Sequence, residues 1–208
     1  LGVFGFFITT DLFTLFMFYE VALIPMYLLI GIWGSGKKEY SAMKLTLMLM
    51  GASSLLLVGI LGIYFSAGAV SMNILDIANI HIPLDKQLFF FTLTFIGFGV
   101  LGALFPFHTW SPDGHASAPT AVSMLHAGVL MKLGGYGCFR VSIYLMPDAA
   151  EILAPLFLVL TATGVFYGAL SAIHQRDLKY INAYSSVSHC NLVLFAILML
   201  TRTAMTGA

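Results

Sequence analysis

The stretch Thr120–Leu145 reads TAVSMLHAGVLMKLGGYGCFRVSIYL and is predominantly apolar. It is longer than the roughly 20 residues that a helix needs to cross the hydrocarbon core of a bilayer. Lys132 lies near its middle, where a charged side chain costs about 2.5–3.5 kcal/mol on insertion scales. Because an ionisable residue at that depth marks a functional site by default, the stretch predicts a membrane-spanning helix with a functional lysine.

The composition of the whole chain is that of a membrane protein. Of its 208 residues, 60% are hydrophobic and only 9% are charged, whereas soluble proteins carry about 25% charged residues. Nine basic residues balance nine acidic residues, so no basic surface is available for nucleic acid. Cys138 and Cys190 lie far apart and form no metal-binding motif. We therefore predict that this chain binds no metal of its own.

Five further apolar stretches predict membrane-spanning helices. They run near Leu12–Gly34, Ser41–Ser66, Gln87–Phe107, Ile152–Ile173 and Tyr180–Leu200. Leu1–Thr10 forms an apolar stub, and His108–Pro119 is predicted to be a loop because turn residues collect there. We expect an all-α, polytopic transmembrane helix bundle in which residues 1–208 form a single domain. The sequence opens within an apolar run and has no signal peptide, so we also expect a fragment of a longer chain.

The distribution of basic residues predicts the orientation in the membrane. Two loops that fall on one side by helix parity contain four basic residues, Lys37, Lys38, Arg176 and Lys179. The predicted loop His108–Pro119 falls on that same side. Since short cytoplasmic loops are enriched in Lys and Arg, this side is predicted to be cytoplasmic.

Glu20 is a second ionisable residue within an apolar stretch. It lies near the middle of Leu12–Gly34, close to Pro25, which removes a backbone hydrogen bond and opens the helix locally. We predict that Glu20 binds protons or forms an ion pair inside the bundle; the alternative is a neutral side chain hydrogen-bonded to a neighbouring helix. Lys44 lies one turn inside Ser41–Ser66, and two interpretations stay open, a pairing with Glu20 or an anchor at the membrane surface.

His126 and Lys132 lie on the same predicted helix. Six residues separate them, which places them about 120° apart around the helix, so a water chain would have to connect them. Histidine suits a proton relay, although a histidine bonded to a backbone carbonyl is the alternative. The alternative for Lys132 is that its side chain extends to the lipid headgroups. Gly128 and Gly135 share its helical face and predict the close approach of another helix.

The last predicted helix carries a polar stripe. Its members are spaced so that they face one way, and they are Asn182, Ser185, Ser186 and His189. Two interpretations stay open, the lining of a water path and ordinary hydrogen bonding between helices. His81 and His174 lie in loops or at helix ends and are predicted to be surface residues.

Several stretches in chain order carry a family resemblance. Asp11–Gly34 contains DLF, FYE and PMYLLI, Phe105–Thr120 reads FPFHTWSPDGHASAPT, Val129–Arg140 reads VLMKLGGYGCFR, Gln175–Lys179 reads QRDLK and Ala183–His189 reads AYSSVSH. Together they resemble the antiporter-like membrane subunits of respiratory complex I, the NADH:quinone oxidoreductase, of the chain M or mitochondrial subunit 4 type. The resemblance spans nearly the whole chain and covers only the middle of the family's length.

The resemblance implies a fold of inverted repeats with a broken helix near Pro106. It implies that Glu20 and Lys132 transfer protons across the membrane, driven by quinone reduction elsewhere in the complex. The chain would then be a non-redox subunit of a proton translocase that binds no cofactor, while NADH and quinone are used by the whole complex. Its partners would be other membrane subunits of complex I and the lipid bilayer, most simply in the bacterial inner membrane.

One position departs from the family pattern. The family has a lysine five residues before the proline of its Pro-x-His element, and counting back from Pro106 gives Leu101. An intramembrane Glu20 without a cationic partner would stay protonated and inert. We therefore hypothesise that His126 or Lys132, helped by Lys44, takes over the partner's role.

Three alternatives to the complex I assignment follow from the same sequence. The first alternative is a subunit of a multi-subunit Na⁺/H⁺ antiporter. The second is a part of a membrane-bound hydrogenase, and the third is a structural scaffold that lost transport with the change at Leu101. Retention of Glu20 and Lys132 favours an active proton path over the scaffold.

Overall fold

The computed structural model describes residues 1–208 and contains helices but no β-strands. In chain order the α-helices are α1 Gly2–Ile8, α2 Leu12–Trp33, α3 Lys38–Ala67, α4 Ile74–Ala78, α5 Leu84–Leu101, α6 Trp110–Ser117, α7 Thr120–Leu125, α8 Met131–Gly137, α9 Pro147–His174, α10 Leu178–Leu198 and α11 Arg202–Gly207. Two π-helical segments, π1 (His126–Leu130) and π2 (Cys138–Ile143), precede and follow α8. The predicted all-α class is confirmed.

Five helices, α2, α3, α5, α9 and α10, are long and apolar enough to cross a membrane. Each corresponds to one of the spans expected from the sequence. Helix α3 packs against both α2 and α5, and α9 packs along α10. Their outer faces carry large apolar side chains such as Leu47 and Val159, which is what a lipid environment accepts. The apolar stub forms α1, which packs against α2.

The sixth expected span, Thr120–Leu145, is helical throughout but is not a regular α-helix. Its turns widen at π1 and again at π2. A π-helical turn bonds each residue to the fifth one along the chain and holds an extra residue. The widened turns lie on either side of α8, the segment that carries Lys132.

The helix break near Pro106 is present. Helix α5 ends earlier than the expected span Gln87–Phe107. Helix α5 ends at Leu101, and Ala103 has a left-handed backbone with φ of 57°.

The prediction of a loop over His108–Pro119 is wrong for most of its length, because Trp110–Ser117 forms α6. Proline is tolerated in the first turn of a helix, where its missing N–H has no partner to lose, so Pro112 does not stop α6.

The close helix contacts differ from those expected at Gly128 and Gly135. A Cβ atom at Gly128 would meet nothing within 4 Å, and one at Gly135 would meet only a Val193 methyl group at 3.5 Å. Gly134 is the close contact, since a Cβ there would lie 2.6 Å from the carbonyl oxygen of Phe98. Helix α8 therefore packs directly on the C-terminal end of α5 through Gly134.

Three segments expected on one side of the membrane meet at one end of the bundle. The Ser35 amide donates to the Ser117 carbonyl at 2.8 Å, which joins the loop before α3 to α6. The Lys179 ammonium donates to the carbonyl oxygens of Ala116 and Ala118 at 3.4 and 3.0 Å, which joins the start of α10 to the end of α6. Their placement on one side is confirmed, and the compartment that they face stays a prediction.

Candidate functional site

Lys132 lies in α8 and is exposed to a cavity of about 410 Å³ between α8, α10 and α11. The cavity is mostly apolar, with Tyr136, Val193 and Leu194 among its lining residues. The Lys132 ammonium donates to the Cys190 sulfur at 3.5 Å, and a thiol is a weak acceptor. The lysine is thus neither sealed in the core nor in an ion pair within this chain.

Glu20 lies on α2 and is half-buried, and its Oε1 atom is buried without a hydrogen-bond partner. No ion pair or hydrogen bond joins Glu20 to Lys44, to His126 or to Lys132, because the one ion pair in the structure involves other groups. The hypothesised cationic partner of Glu20 is therefore not provided by these residues. Leu101, where the family has its lysine, is fully buried in apolar surroundings.

Lys44 forms the ion pair of the structure with Asp113, not with Glu20. Its Nζ lies 2.6 Å from Oδ2 of Asp113, and both side chains are about one quarter exposed. The Tyr180 hydroxyl donates to Oδ1 of the same carboxylate at 3.4 Å. Asp113 lies in α6, within the expected loop, and for that reason the sequence did not single it out as a partner.

His126 lies fully buried at the start of π1, and its ring is sandwiched between two others. The His115 ring stacks on it with centroids 4.5 Å apart, and the Trp110 ring lies 5.3 Å away. Neither ring nitrogen of His126 has a hydrogen-bond partner, so the alternative of a bond to a backbone carbonyl is wrong. His115 Nδ1 and the Ser123 hydroxyl lie 2.6 Å apart.

Helix α6 brings the sequence-predicted groups together. It carries Asp113, which pairs with Lys44 of α3, and His115, which stacks on His126. Lys132 lies close enough to His115 for their charges to interact. Three of the four predicted groups, Lys44, His126 and Lys132, are therefore linked to residues of α6, whereas Glu20 on α2 lies outside the cluster.

A third buried histidine, His108, lies in the break between α5 and α6 and was not predicted as a site residue. Its ring stacks on Phe105 at 5.4 Å and lies 4.9 Å from the Tyr167 ring, while Nδ1 has no hydrogen-bond partner.

Asn191 of α10 stabilises the break between α5 and α6. Its side chain accepts from the Phe105 amide at 3.3 Å and donates to the Ala103 carbonyl at 2.9 Å. The sequence signal for this contact was an asparagine, Asn191, within the apolar stretch that forms α10.

The polar stripe of α10 makes no hydrogen bond to another helix of this chain, and the lining of a water path stays a prediction. Asn182 and His189 lie on the outer surface, and the Ser186 hydroxyl donates to the Asn182 carbonyl within its own helix. Hydrogen bonds from α10 to other elements come instead from Ser188, which donates to Val165 of α9, and from Asn191. His81 and His174 are exposed, as expected.

No three His, Cys, Asp or Glu side chains are grouped as metal ligands would be. Both cysteines are buried and free. That the chain binds no cofactor stays a prediction. The chemistry available in the cluster is the gain and loss of protons by two histidines, a carboxylate and two amines.

Comparison with known proteins places the chain among respiratory membrane subunits. Residues 9–208 match the family described as NADH:quinone oxidoreductase/Mrp antiporter, transmembrane. The chain is 41% identical over 204 residues to NAD(P)H-quinone oxidoreductase chain 4-2 of Synechocystis, covering 98% of this chain and 36% of that protein. It is 38% identical over 208 residues to the chloroplastic chain 4 of Citrus sinensis, covering 100% and 42%. The chain thus spans about two fifths of the length of these relatives.

Solved structures share the fold. A chain of respiratory complex I from Thermus thermophilus with bound NADH superposes with a TM-score of 0.94 at 26% identity, covering 99% of this chain and 44% of that one. A chain of the archaeal membrane-bound sulfane sulfur reductase gives 0.87 at 29% identity, covering 94% and 40%. A chain of the Mrp complex from Dietzia gives 0.83 at 22% identity, covering 99% and 39%, and at that identity the likeness concerns the fold alone.

Proposed function

Because the chain belongs to the transmembrane family of NADH:quinone oxidoreductase and Mrp antiporter subunits, we propose that it works as a proton-translocating, non-redox subunit of a complex I-type enzyme. It is a multi-pass integral membrane protein. Other membrane subunits and the lipid bilayer would be its partners, and NADH and quinone would react elsewhere in the complex. The predicted membrane is the bacterial inner membrane.

The observation that carries the proposal is the stacked pair His115–His126 between a surface ion pair and Lys132. Buried ionisable groups are expensive in an apolar bundle and are kept where protons or ions move. His115 contacts His126 and lies within electrostatic range of Lys132, while the Lys44–Asp113 pair stands on the same α6 helix as His115. The ion pair is about one quarter exposed at the end of the bundle, and the stacked histidines are buried in its interior.

Each member of the series has a distinct chemical role in the proposal. Each imidazole ring can gain and lose a proton at a nitrogen. Because the rings are stacked and their N–H groups lie in the ring planes, a bridging water would carry the proton between them. Lys132 holds a proton as an ammonium ion at the apolar cavity and releases it as a neutral amine. Quinone reduction elsewhere would supply the free energy, and this chain would supply the path. Glu20, on α2, would act as a separate proton-binding group of the same subunit.

The named relatives favour the NADH enzyme over the two transport alternatives. Relatives at about 40% identity are NAD(P)H-quinone oxidoreductase subunits, whereas the Mrp complex chain is 22% identical. The antiporter alternative rests on membership of the same family and on a shared fold. The proton path proposed here uses the same residues in each case.

The experiment uses the whole complex reconstituted in proteoliposomes, with Glu20→Gln and Lys132→Gln as variants. Glutamine keeps the approximate size of each side chain and removes its ability to titrate. We expect NADH-driven proton uptake to fall by about tenfold or more in each variant, while the complex assembles normally. Glu39→Gln and Lys86→Gln, at exposed positions, serve as matched controls. Full pumping in both Glu20→Gln and Lys132→Gln would contradict the proposal.

A further inference from the structure

A polar pocket of about 810 Å³ opens at the end of the bundle where the basic loops lie. It differs from the cavity at Lys132, since most of its lining is polar or charged. Its walls come from the start of α3, from α6 and from the start of α10, with Ser41, Asp113, Ser117 and Tyr180 among them. A pocket of that size and polarity holds water, so it brings solvent to the Asp113 carboxylate.

Two polar pairs close the seam between α3 and α6 beneath this pocket. The Ser41 and Ser117 hydroxyls lie 2.7 Å apart, and one turn deeper Lys44 pairs with Asp113 at 2.6 Å. Both serines and Asp113 line the pocket, whereas Lys44 does not. The carboxylate therefore faces the pocket, while the ammonium, although about as exposed as the carboxylate, does not line it.

Apolar and aromatic groups lie on the inner side of the ion pair. Leu45, the neighbour of Lys44, is fully buried and contacts α6 at Gly114. The same glycine faces His126, whose Cε1 would lie 3.1 Å from a Cβ atom there. A proton that leaves Asp113 inward thus finds the stacked histidines as the next titratable groups on and against α6.

We propose that Asp113 takes up protons from this pocket for the path described above, and that its ion pair with Lys44 gates the step. The inference rests on the proposed function, because it assigns the uptake end of the same path. A hydronium ion in the pocket donates a proton to one carboxylate oxygen of Asp113, which becomes a neutral carboxyl group, and a water molecule is left behind. That group passes the proton to the histidine pair, and the carboxylate re-forms.

Lys44 has a favourable contact on its own helix beside the ion pair, and it can keep this contact when the pair opens. Its Nζ lies 5.8 Å from the centre of the Tyr40 ring, one turn away on α3, and an ammonium over an aromatic face gains about 0.5–1 kcal/mol at an exposed site. Paired with Lys44, the Asp113 carboxylate accepts a charge-assisted hydrogen bond. When Lys44 leaves the carboxylate and stays over Tyr40, only the Tyr180 hydroxyl remains on Asp113, and the carboxylate is free to accept a proton.

The test compares Asp113→Asn with Lys44→Gln in the reconstituted complex, and it measures NADH-driven pumping and the passive leak under an imposed pH difference. We expect Asp113→Asn to lower pumping by about fivefold or more without added leak, and Asp113→Glu to retain most of the rate. We expect Lys44→Gln to raise the passive leak by about threefold, because the gate is lost. Asp177→Asn, at the pocket rim and with its helix cap retained, is the charge control.

Two outcomes would overturn the inference. Equal losses in Asp113→Asn and Lys44→Gln with no change in leak would mean that the pair only anchors α6 to α3. Full pumping in Asp113→Asn, in preparations where Lys132→Gln loses pumping, would place uptake elsewhere and leave the proposed function intact. Full pumping in Lys132→Gln and Glu20→Gln as well would instead refute the proposed function.

Discussion

The imidazole rings of His115 and His126 lie 4.5 Å apart and within 12° of parallel, in a site closed to solvent. Two cations at that distance would repel each other strongly in an apolar interior. The pair therefore carries at most one positive charge, that of a single added proton, at a time. This is the property that a relay between the Asp113 end and Lys132 requires.

Replacement of His126 by alanine tests the relay. We expect His126→Ala to lower proton pumping in the reconstituted complex by about tenfold or more, because the ring that contacts His115 is removed. His81→Ala makes the same change at an exposed position and should leave pumping unchanged. Unaltered pumping in His126→Ala would show that protons bypass the stacked pair.

Ser123 is expected to position the relay. Its hydroxyl lies 2.6 Å from His115 Nδ1, so it fixes the ring orientation that keeps His115 stacked on His126. We expect Ser123→Ala to slow pumping by about threefold, a loss near 0.6 kcal/mol that fits one modest hydrogen bond, and Ser123→Thr to recover the rate. Ser54→Ala, which removes an exposed hydroxyl bonded to its own helix, is the control. Equal rates in Ser123→Ala and the parent complex would contradict this role.

Asn191 is expected to stabilise the helix break. In Asn191→Leu the Ala103 carbonyl and the Phe105 amide lose their partner on α10, and each buried unpaired group costs about 1–3 kcal/mol. We expect a lower midpoint of thermal unfolding for the detergent-solubilised complex. The same substitution at exposed Asn182 on the same helix should leave the midpoint unchanged, and equal midpoints for both variants would refute the assignment.

Gly134 and Gly128 give a matched pair for the contact between α8 and α5. A Cβ at Gly134 would press on backbone atoms of Phe98 and Gly102, whereas one at Gly128 meets open space. We expect Gly134→Ala to destabilise the subunit by about 1–3 kcal/mol through overpacking and to reduce the yield of assembled complex. Gly128→Ala should assemble normally. A normal yield in Gly134→Ala would mean that the two helices separate at no cost.

The spans were predictable from the sequence because lipid offers no partner for backbone groups, so long apolar stretches become helices. The same reasoning did not anticipate α6, since proline and glycine around Asp113 were taken as loop signals although Pro112 falls in a first helical turn. Contacts between distant stretches were not predictable either. The partner of Lys44 lies 69 positions away on α6, and no local pattern identifies it.

The site was predictable in its members more than in its connections. The predicted water chain between His126 and Lys132 stays a prediction, and the contact that His126 makes is with His115, for which no role was predicted. The expected close contacts at Gly128 and Gly135 assumed a regular repeat of 100° per residue. The widened turns π1 and π2 break that repeat, and Gly134 takes the contact instead.

Those widened turns also bear on how this helix tolerates changes in length. Because the widened turn accommodates one extra residue, deletion of one residue within π1 would restore the ordinary repeat and leave Lys132 pointing in nearly its present direction relative to α7. Such a deletion would keep a membrane-crossing helix of nearly the same height, so hydropathy would not reveal it. Among natural or designed variants, a one-residue gap within π1 would therefore be tolerated, whereas the same gap in the regular turns of α8 before Lys132 would change the direction of the lysine by about 100°.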